Sequence, residues 1–233
     1  MVNGERLIVN GILFVDKPKG WTSHDIVAKV RSVLKNATGQ KVKVGHTGTL
    51  DPMATGLLIL VIGSYTKRAG EFSKMDKVYQ TEITLGATST TGDEEGELMK
   101  VSDEQPSKTA VEAVLGRFKG EILQTPHKYS AVKIDGQRAY KAARAGKTVE
   151  IEPRKVTIYE ITDVKYDYPK LSFTCKVSSG TYIRSLAEDI GEALGTGAYL
   201  SSLRRPEVGD YKVGQALAID KLDPQNPPIP LVN

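Results

Sequence analysis

Residues 45–62 constrain this chain more than any other stretch. The loop Gly45-His46-Thr47-Gly48-Thr49-Leu50-Asp51-Pro52-Met53-Ala54-Thr55-Gly56 carries three glycines and a proline, and the unbroken apolar run Leu57 to Ile62 follows at once. Glycine and proline punctuate a backbone, so the first part reads as a sharply bent loop. Six apolar residues without alternation read as a strand buried on both faces. Upstream, Ile26, Val27, Val30, Val33 and Leu34 fall at helical spacing. Thr22 and Ser23 can cap that helix, with Asp25 completing a loose capping pattern. A bent loop between a helix and a buried strand can present an acidic side chain at the end of a sheet. Asp51 is the candidate. An Asp-Pro pair also caps turns without doing chemistry, and the residues alone leave both readings open.

The rest of the chain mixes strands and helices. Gly11 to Val15 reads as a strand running into the turn Asp16-Lys17-Pro18-Lys19-Gly20. Tyr79, Thr81, Ile83 and Leu85 alternate with polar residues, as a half-buried strand requires. Ser107 opens a second helix with the stripe Ala110, Val111, Val114, Leu115 and Phe118. Val156 to Val164 and Leu171 to Val177 read as strands, and Ile183 to Leu194 as a third amphipathic helix ended by Gly195. A strand around Tyr199 to Arg204 precedes a proline-rich tail. A short helix is expected at Gln137 to Ala145, stopped by Gly146. With no strict βαβ rhythm, the expected fold class is α+β: a mixed, mostly antiparallel sheet with flanking helices.

Several chemistries are excluded. The glycine loop lacks the terminal Gly-Lys-Ser/Thr of a phosphate-binding P-loop, and no dinucleotide fingerprint occurs. His24, His46 and His127 are scattered and Cys175 is the single cysteine, so no zinc cluster and no internal disulfide are expected. A glycosidase-type carboxylate pair assembled from distant residues stays open. The expectation is one-carboxylate chemistry without a cofactor. The lone cysteine, the absence of a signal-peptide profile and apolar runs far short of the ~20 residues that span a bilayer lead to an expected cytoplasmic, membrane-free location.

Net charge is +4 over 233 residues, too little to decide a partner. Its distribution says more: Lys128 to Lys155 holds eight basic residues against three acidic ones. This irregular stretch is expected to act as a basic, flexible insertion, at about residues 124–155, that closes over a polyanion.

Five stretches, in order, resemble motifs of the tRNA pseudouridine synthase B family. They are Asp16-Lys17-Pro18-Lys19-Gly20, the Gly45–Gly56 loop, Lys77-Val78-Tyr79, Tyr129-Ser130-Ala131-Val132-Lys133 with Gly136 and Tyr140, and Ser179-Gly180-Thr181-Tyr182-Ile183-Arg184-Ser185-Leu186. The resemblance runs from about Gly11 to Arg205 and implies the pseudouridine synthase catalytic fold as a single domain over residues 1–233. The implied activity is isomerisation of uridine to pseudouridine at position 55 in the tRNA T-loop. Asp51 would be the catalytic carboxylate, acting at the ribose carbon or through proton transfer on a flipped-out base. Arg184 would keep Asp51 ionised and aimed; the alternative partner for Arg184 is Glu188, four positions on in the same helix. Tyr79 would stack on the base, Tyr182 and Leu203 would wall the pocket, and His46 would fill the vacated stack. Lys19, Lys67 and Lys133 would contact phosphates or the pocket.

The resemblance implies no cofactor, no metal, no guide RNA or obligate protein partner, and a monomer. A non-catalytic tRNA-folding chaperone on the same scaffold is the alternative function. Two departures stand out. His127 takes a place where the family commonly has proline, with a mild expected effect on loop rigidity. Many relatives continue into a C-terminal RNA-binding domain of the PUA type, whereas this sequence ends at Asn233, so RNA affinity is expected from the core and the insertion.

Overall fold

The computed structural model describes residues 9–127 and 151–223, and the backbone of 133–134 and 137–138. In chain order the strands are β1 (Gly11–Lys17), β2 (Val44–His46), β3 (Thr55–Ile62), β4 (Lys77–Leu85), β5 (Ala87–Ser89), β6 (Leu98–Lys100), β7 (Gly120–Gln124), β8 (Lys133–Ile134), β9 (Gln137–Arg138), β10 (Arg154–Asp167), β11 (Lys170–Val177), β12 (Ala198–Val208), β13 (Tyr211–Lys212) and β14 (Leu217–Ala218). The helices are α1 (Ser23–Thr38), α2 (Ala69–Ser73), α3 (Lys108–Arg117) and α4 (Ile183–Ala193). No described helix is long and apolar enough to cross a membrane. The chain divides into two compact units, one of residues up to 75 and from 204 onward, the other of residues 76–203.

The first unit is built around β3. It pairs antiparallel with β1 from Gly11↔Ile62 to Lys17↔Gly56, antiparallel with β2, and parallel with the end of β12 at Arg204↔Thr55 and Arg205↔Gly56. β14 adds in parallel to β1. The unbroken apolar run of β3 is needed because both faces are covered. Leu58, Leu60 and Ile62 pack with Leu13 and Val15 against Ile26, Val27, Val30, Val33 and Leu34 of α1. Leu57, Ile59 and Val61 pack on the other side with Ile12, Phe14, Phe72 and Val208. Each fully buried aliphatic side chain stabilises the fold by about 1.5–3 kcal/mol. The helix starts where the sequence says it should: Thr22 caps α1, its side chain accepting from Asp25 N while the Asp25 carboxylate accepts from Thr22 N. Gly39 in the left-handed conformation closes the other end.

The second unit carries the antiparallel ladder β4-β11-β10-β7. The alternation of β4 is real: Lys77, Tyr79, Thr81, Ile83 and Leu85 are buried, and Tyr79 lies opposite Cys175. α3 begins at Ser107, whose hydroxyl accepts from Ala110 N at 3.2 Å. It packs on α4, which also packs on β4. The short β2, β5, β6 and β7 carry no periodic signal and were not expected from sequence. Of the helix expected at Gln137 to Ala145, only 137–138 are described; they pair as a strand with 133–134. The remainder of that segment, the Lys133 side chain and the tail from 224 lie outside the described residues.

Gly56 has φ +105°, and a Cβ there would collide with the Arg205 backbone of the parallel neighbour. Gly56→Ala is therefore expected to lower unfolding free energy by at least about 2 kcal/mol in a denaturant titration. Burial pushes the Cys175 thiol up to about 12. Iodoacetamide at neutral pH should leave the native chain unlabelled and alkylate Cys175 only after denaturation.

Candidate active site

In the first unit, β2 and β3 form a ladder that delivers the Asp51 loop: His46 lies opposite Leu60, and Thr47 N extends the pairing to Ile59 O at 3.1 Å. Thr55 starts β3, so residues 47–54 form the connection. Leu50, Met53 and Ala54 are buried around a half-buried Asp51. Three apolar anchors thus fix the chain on both sides of the carboxylate.

The loop backbone is held at alternate carbonyls. Arg205 Nη2 donates to Gly48 O at 3.0 Å, and its Nε donates to Leu57 O at 3.0 Å. The Ser23 hydroxyl donates to Leu50 O and accepts from Leu50 N, both at 2.8 Å. Lys17 Nζ donates to Pro52 O at 3.3 Å, to Trp21 O at 2.6 Å and to Pro18 O at 3.0 Å, while Gly20 N donates to Pro52 O at 2.8 Å. Lys17 is 0% exposed, and Ser23 and Arg205 are each 2% exposed. A buried cation needs several oxygen partners to repay its lost hydration, and these carbonyls supply them. β1, α1 and β12 each contribute one such side chain, so the loop is a product of the unit's packing rather than of its own sequence.

Lys19, expected to contact phosphate or the pocket, is exposed, and its neighbour Lys17, which carried no expected role, holds the loop. Lys67 is likewise exposed, on the turn after β3, and His46 is half-buried at the end of β2. Asp16 makes a two-point contact with Arg204, at 3.1 and 2.9 Å.

In the second unit, Arg184 sits in the first turn of α4, 8% exposed. Its Nη1 donates to Thr91 O at 3.0 Å and lies 3.4 Å from Asp93 Oδ2. Asp93, 2% exposed, is fixed through Oδ1 by the Thr91 hydroxyl at 2.6 Å and Glu95 N at 3.2 Å. Gly92 O accepts from Leu200 N and Leu200 O accepts from Glu94 N, tying this turn to β12. Asp93, in the acidic run Asp93-Glu94-Glu95, is a buried carboxylate on the arginine. Glu188 Oε1 lies 3.4 Å from His127 Nε2. His127 is buried against the Gly92 turn.

Gln124 clamps the start of α4, accepting from Tyr182 N at 2.8 Å and donating to Tyr182 O at 3.1 Å. Ser185 Oγ donates to Thr125 O at 2.9 Å. Tyr79 on β4 and Leu203 on β12 are each 8% exposed, and Tyr182 is half-buried. Among the described residues no group of three or more His, Cys, Asp or Glu side chains converges as metal ligands.

Residues 35–183 match the TruB family pseudouridylate synthase (N terminal domain), and residues 184–225 match the tRNA pseudouridylate synthase B C-terminal domain. A curated relative from Cupriavidus metallidurans, named tRNA pseudouridine synthase B, is 47% identical over 93% of this chain and 68% of its own. One of the same name from Thermobifida fusca is 46% identical over 96% and 78%. Among solved structures, a Cbf5–Nop10–Gar1 complex matches with TM-score 0.70 and 29% identity, covering 91% of this chain and 53% of that one. An H/ACA ribonucleoprotein bound to a substrate RNA containing 2'-deoxyuridine matches with TM-score 0.67 and 27% identity. This chain spans about half the length of those two proteins, 53% and 52%. The mixed, mostly antiparallel fold and the extent of these matches establish that the chain belongs to the TruB family of pseudouridylate synthases.

Proposed function

We propose that this chain converts uridine to pseudouridine in the tRNA T-loop, at position 55, with Asp51 as the catalytic carboxylate. The observation that carries the assignment is the Asp51 loop itself, held at Gly48 O, Leu50 O and Pro52 O by buried Arg205, Ser23 and Lys17. A loop fastened at that density places its one carboxylate before substrate arrives, which is what oriented catalysis requires. Family membership supports pseudouridine formation, and relatives named for tRNA at 46–47% identity support tRNA as the substrate.

The reaction breaks the N1–C1′ bond of uridine, turns the base, and forms a C5–C1′ bond. C5 loses its proton and N1 gains one, so atoms and electrons balance without a redox partner. The base must first leave its stack, at a cost of a few kcal/mol. Attack at the ribose carbon and a proton-transfer path both use an ionised carboxylate, and Asp51 supplies it in either. We assign supporting roles in the same reaction to Arg184, Tyr79, Tyr182 and Leu203. His46 is assigned to the stack the base leaves, and Lys19, Lys67 and Lys133 to the RNA. In this reading the tRNA is recognised without a guide RNA or obligate protein partner, by a monomer.

Purified protein incubated with an unmodified tRNA transcript should yield pseudouridine on chromatography of the digested nucleosides. Asp51→Asn should lower the rate by at least about a thousandfold and change RNA affinity by less than about threefold. Product at the wild-type rate from Asp51→Asn would remove Asp51 from the chemistry. Asp93→Ala takes one carboxylate partner from a buried guanidinium and should lower stability by about 1–3 kcal/mol. Its turnover at saturating tRNA should fall more than about tenfold, and an unchanged kcat would show that Asp93 does not position Arg184 for the reaction.

A further inference from the structure

From Ile26 to Leu50 the chain has no acidic residue, and it carries Lys29, Arg31, Lys35, Lys41 and Lys43. That concentration of positive charge exceeds the +4 of the whole protein. The nearest acid upstream, Asp25, is committed to the α1 capping box, and its hydrogen bonds to Thr22 hold its carboxyl below the usual range. Structure turns this composition into a surface. On α1, positions 24, 28, 31 and 35 succeed one another at spacings of four, three and four, which aligns His24, Ala28, Arg31 and Lys35 along one flank. All four are exposed. Arg31 Nη2 donates to Val44 O at 3.2 Å, so this is the flank turned toward β2. Lys41 and Lys43, also exposed, lie on the short connection that enters β2 just before Val44.

We propose that this α1–β2 flank binds the phosphodiester backbone of the tRNA substrate and holds its stem next to the Asp51 loop. The inference rests on the tRNA reading above and extends it to a second RNA contact beyond the 124–155 insertion. The chain itself gives the direction. α1 starts at Ser23, whose hydroxyl grips Leu50, and β2 ends at His46, two residues before Gly48. The flank therefore begins and ends at the Asp51 loop's own attachments. α1, with 16 residues, extends about 24 Å, enough to follow several phosphates of a helical stem. Point charges on flexible lysine stems suit phosphate contacts, which position a nucleic acid without reading its bases. Arg31 is engaged with Val44 O and the remaining cations are lysines, so the flank contributes affinity and register more than sequence choice.

The test is a triple variant, Lys35→Gln/Lys41→Gln/Lys43→Gln, which spares Arg31 because that side chain also holds Val44 O. Its thermal midpoint should match wild type. With unmodified tRNA transcript, KM should rise about tenfold or more while kcat stays within about twofold. The slope of log Kd against log salt should fall by about two to three, close to one per lost phosphate contact. Lys108→Gln/Lys119→Gln, on exposed positions of the other unit, should leave both readouts unchanged. Unchanged KM and salt slope in the triple variant, with active wild type, would overturn the flank proposal alone. An equal effect from the Lys108/Lys119 pair would also overturn it, by reducing it to net charge. A wild-type protein inactive on tRNA would instead strike the underlying substrate assignment.

Discussion

Two cations sealed from water hold the Asp51 loop. Lys17 and Arg205 spend their hydrogen-bonding capacity on backbone carbonyls, among them Pro52 O and Gly48 O on either side of Asp51. Ser23 takes Leu50 O between them. Such groups are costly to bury unless their partners are in place, so the loop, β1, β12 and the start of α1 are mutually dependent. The close approach at Gly56, where Arg205 backbone leaves no room for a Cβ, belongs to the same arrangement. It brings β12 near enough to β3 for the Arg205 side chain to reach both Leu57 O and Gly48 O. Core packing on both faces of β3 then makes the arrangement stiff.

The second unit repeats the logic with other residues. Gln124 closes on both backbone polar groups of Tyr182. Asp93, itself tied down by Thr91 and Glu95, meets the guanidinium of Arg184 one residue past the helix start. In both units a candidate functional residue is placed by a buried polar partner from a distant part of the chain. Such networks specify one arrangement when every member is satisfied.

What could be read in advance was local. The Thr22–Asp25 capping box, the Ser107 cap, the alternation of β4 and the two-sided burial of β3 all express themselves within a few residues. The Asp51 loop was visible for the same reason, by its glycines and proline. Lys17, Ser23 and Arg205 were not, because a side chain that grips a carbonyl 35, 27 or 157 positions away leaves no periodic trace. Lys17 and Lys19 are indistinguishable as residue types, and only burial separates the lysine that grips the loop from the exposed one. Asp93 sits among exposed acids, and only burial separates it from Glu94 and Glu95. The cationic flank of α1 leaves no local signature, because its charge is spread over a helix and a loop and forms a stripe only once α1 and β2 are set side by side.

The central claim is that buried side chains, Lys17 above all, fix the Asp51 loop in the protein before RNA binds. Residue-resolved amide hydrogen exchange on wild type and Lys17→Met tests it directly. The account predicts that exchange at Gly20 and Ala54 speeds up at least about tenfold in the variant, while amides in the β1–β3 ladder keep their protection. Unchanged exchange at Gly20 and Ala54, or an equal rise throughout β1 and β3, would contradict it.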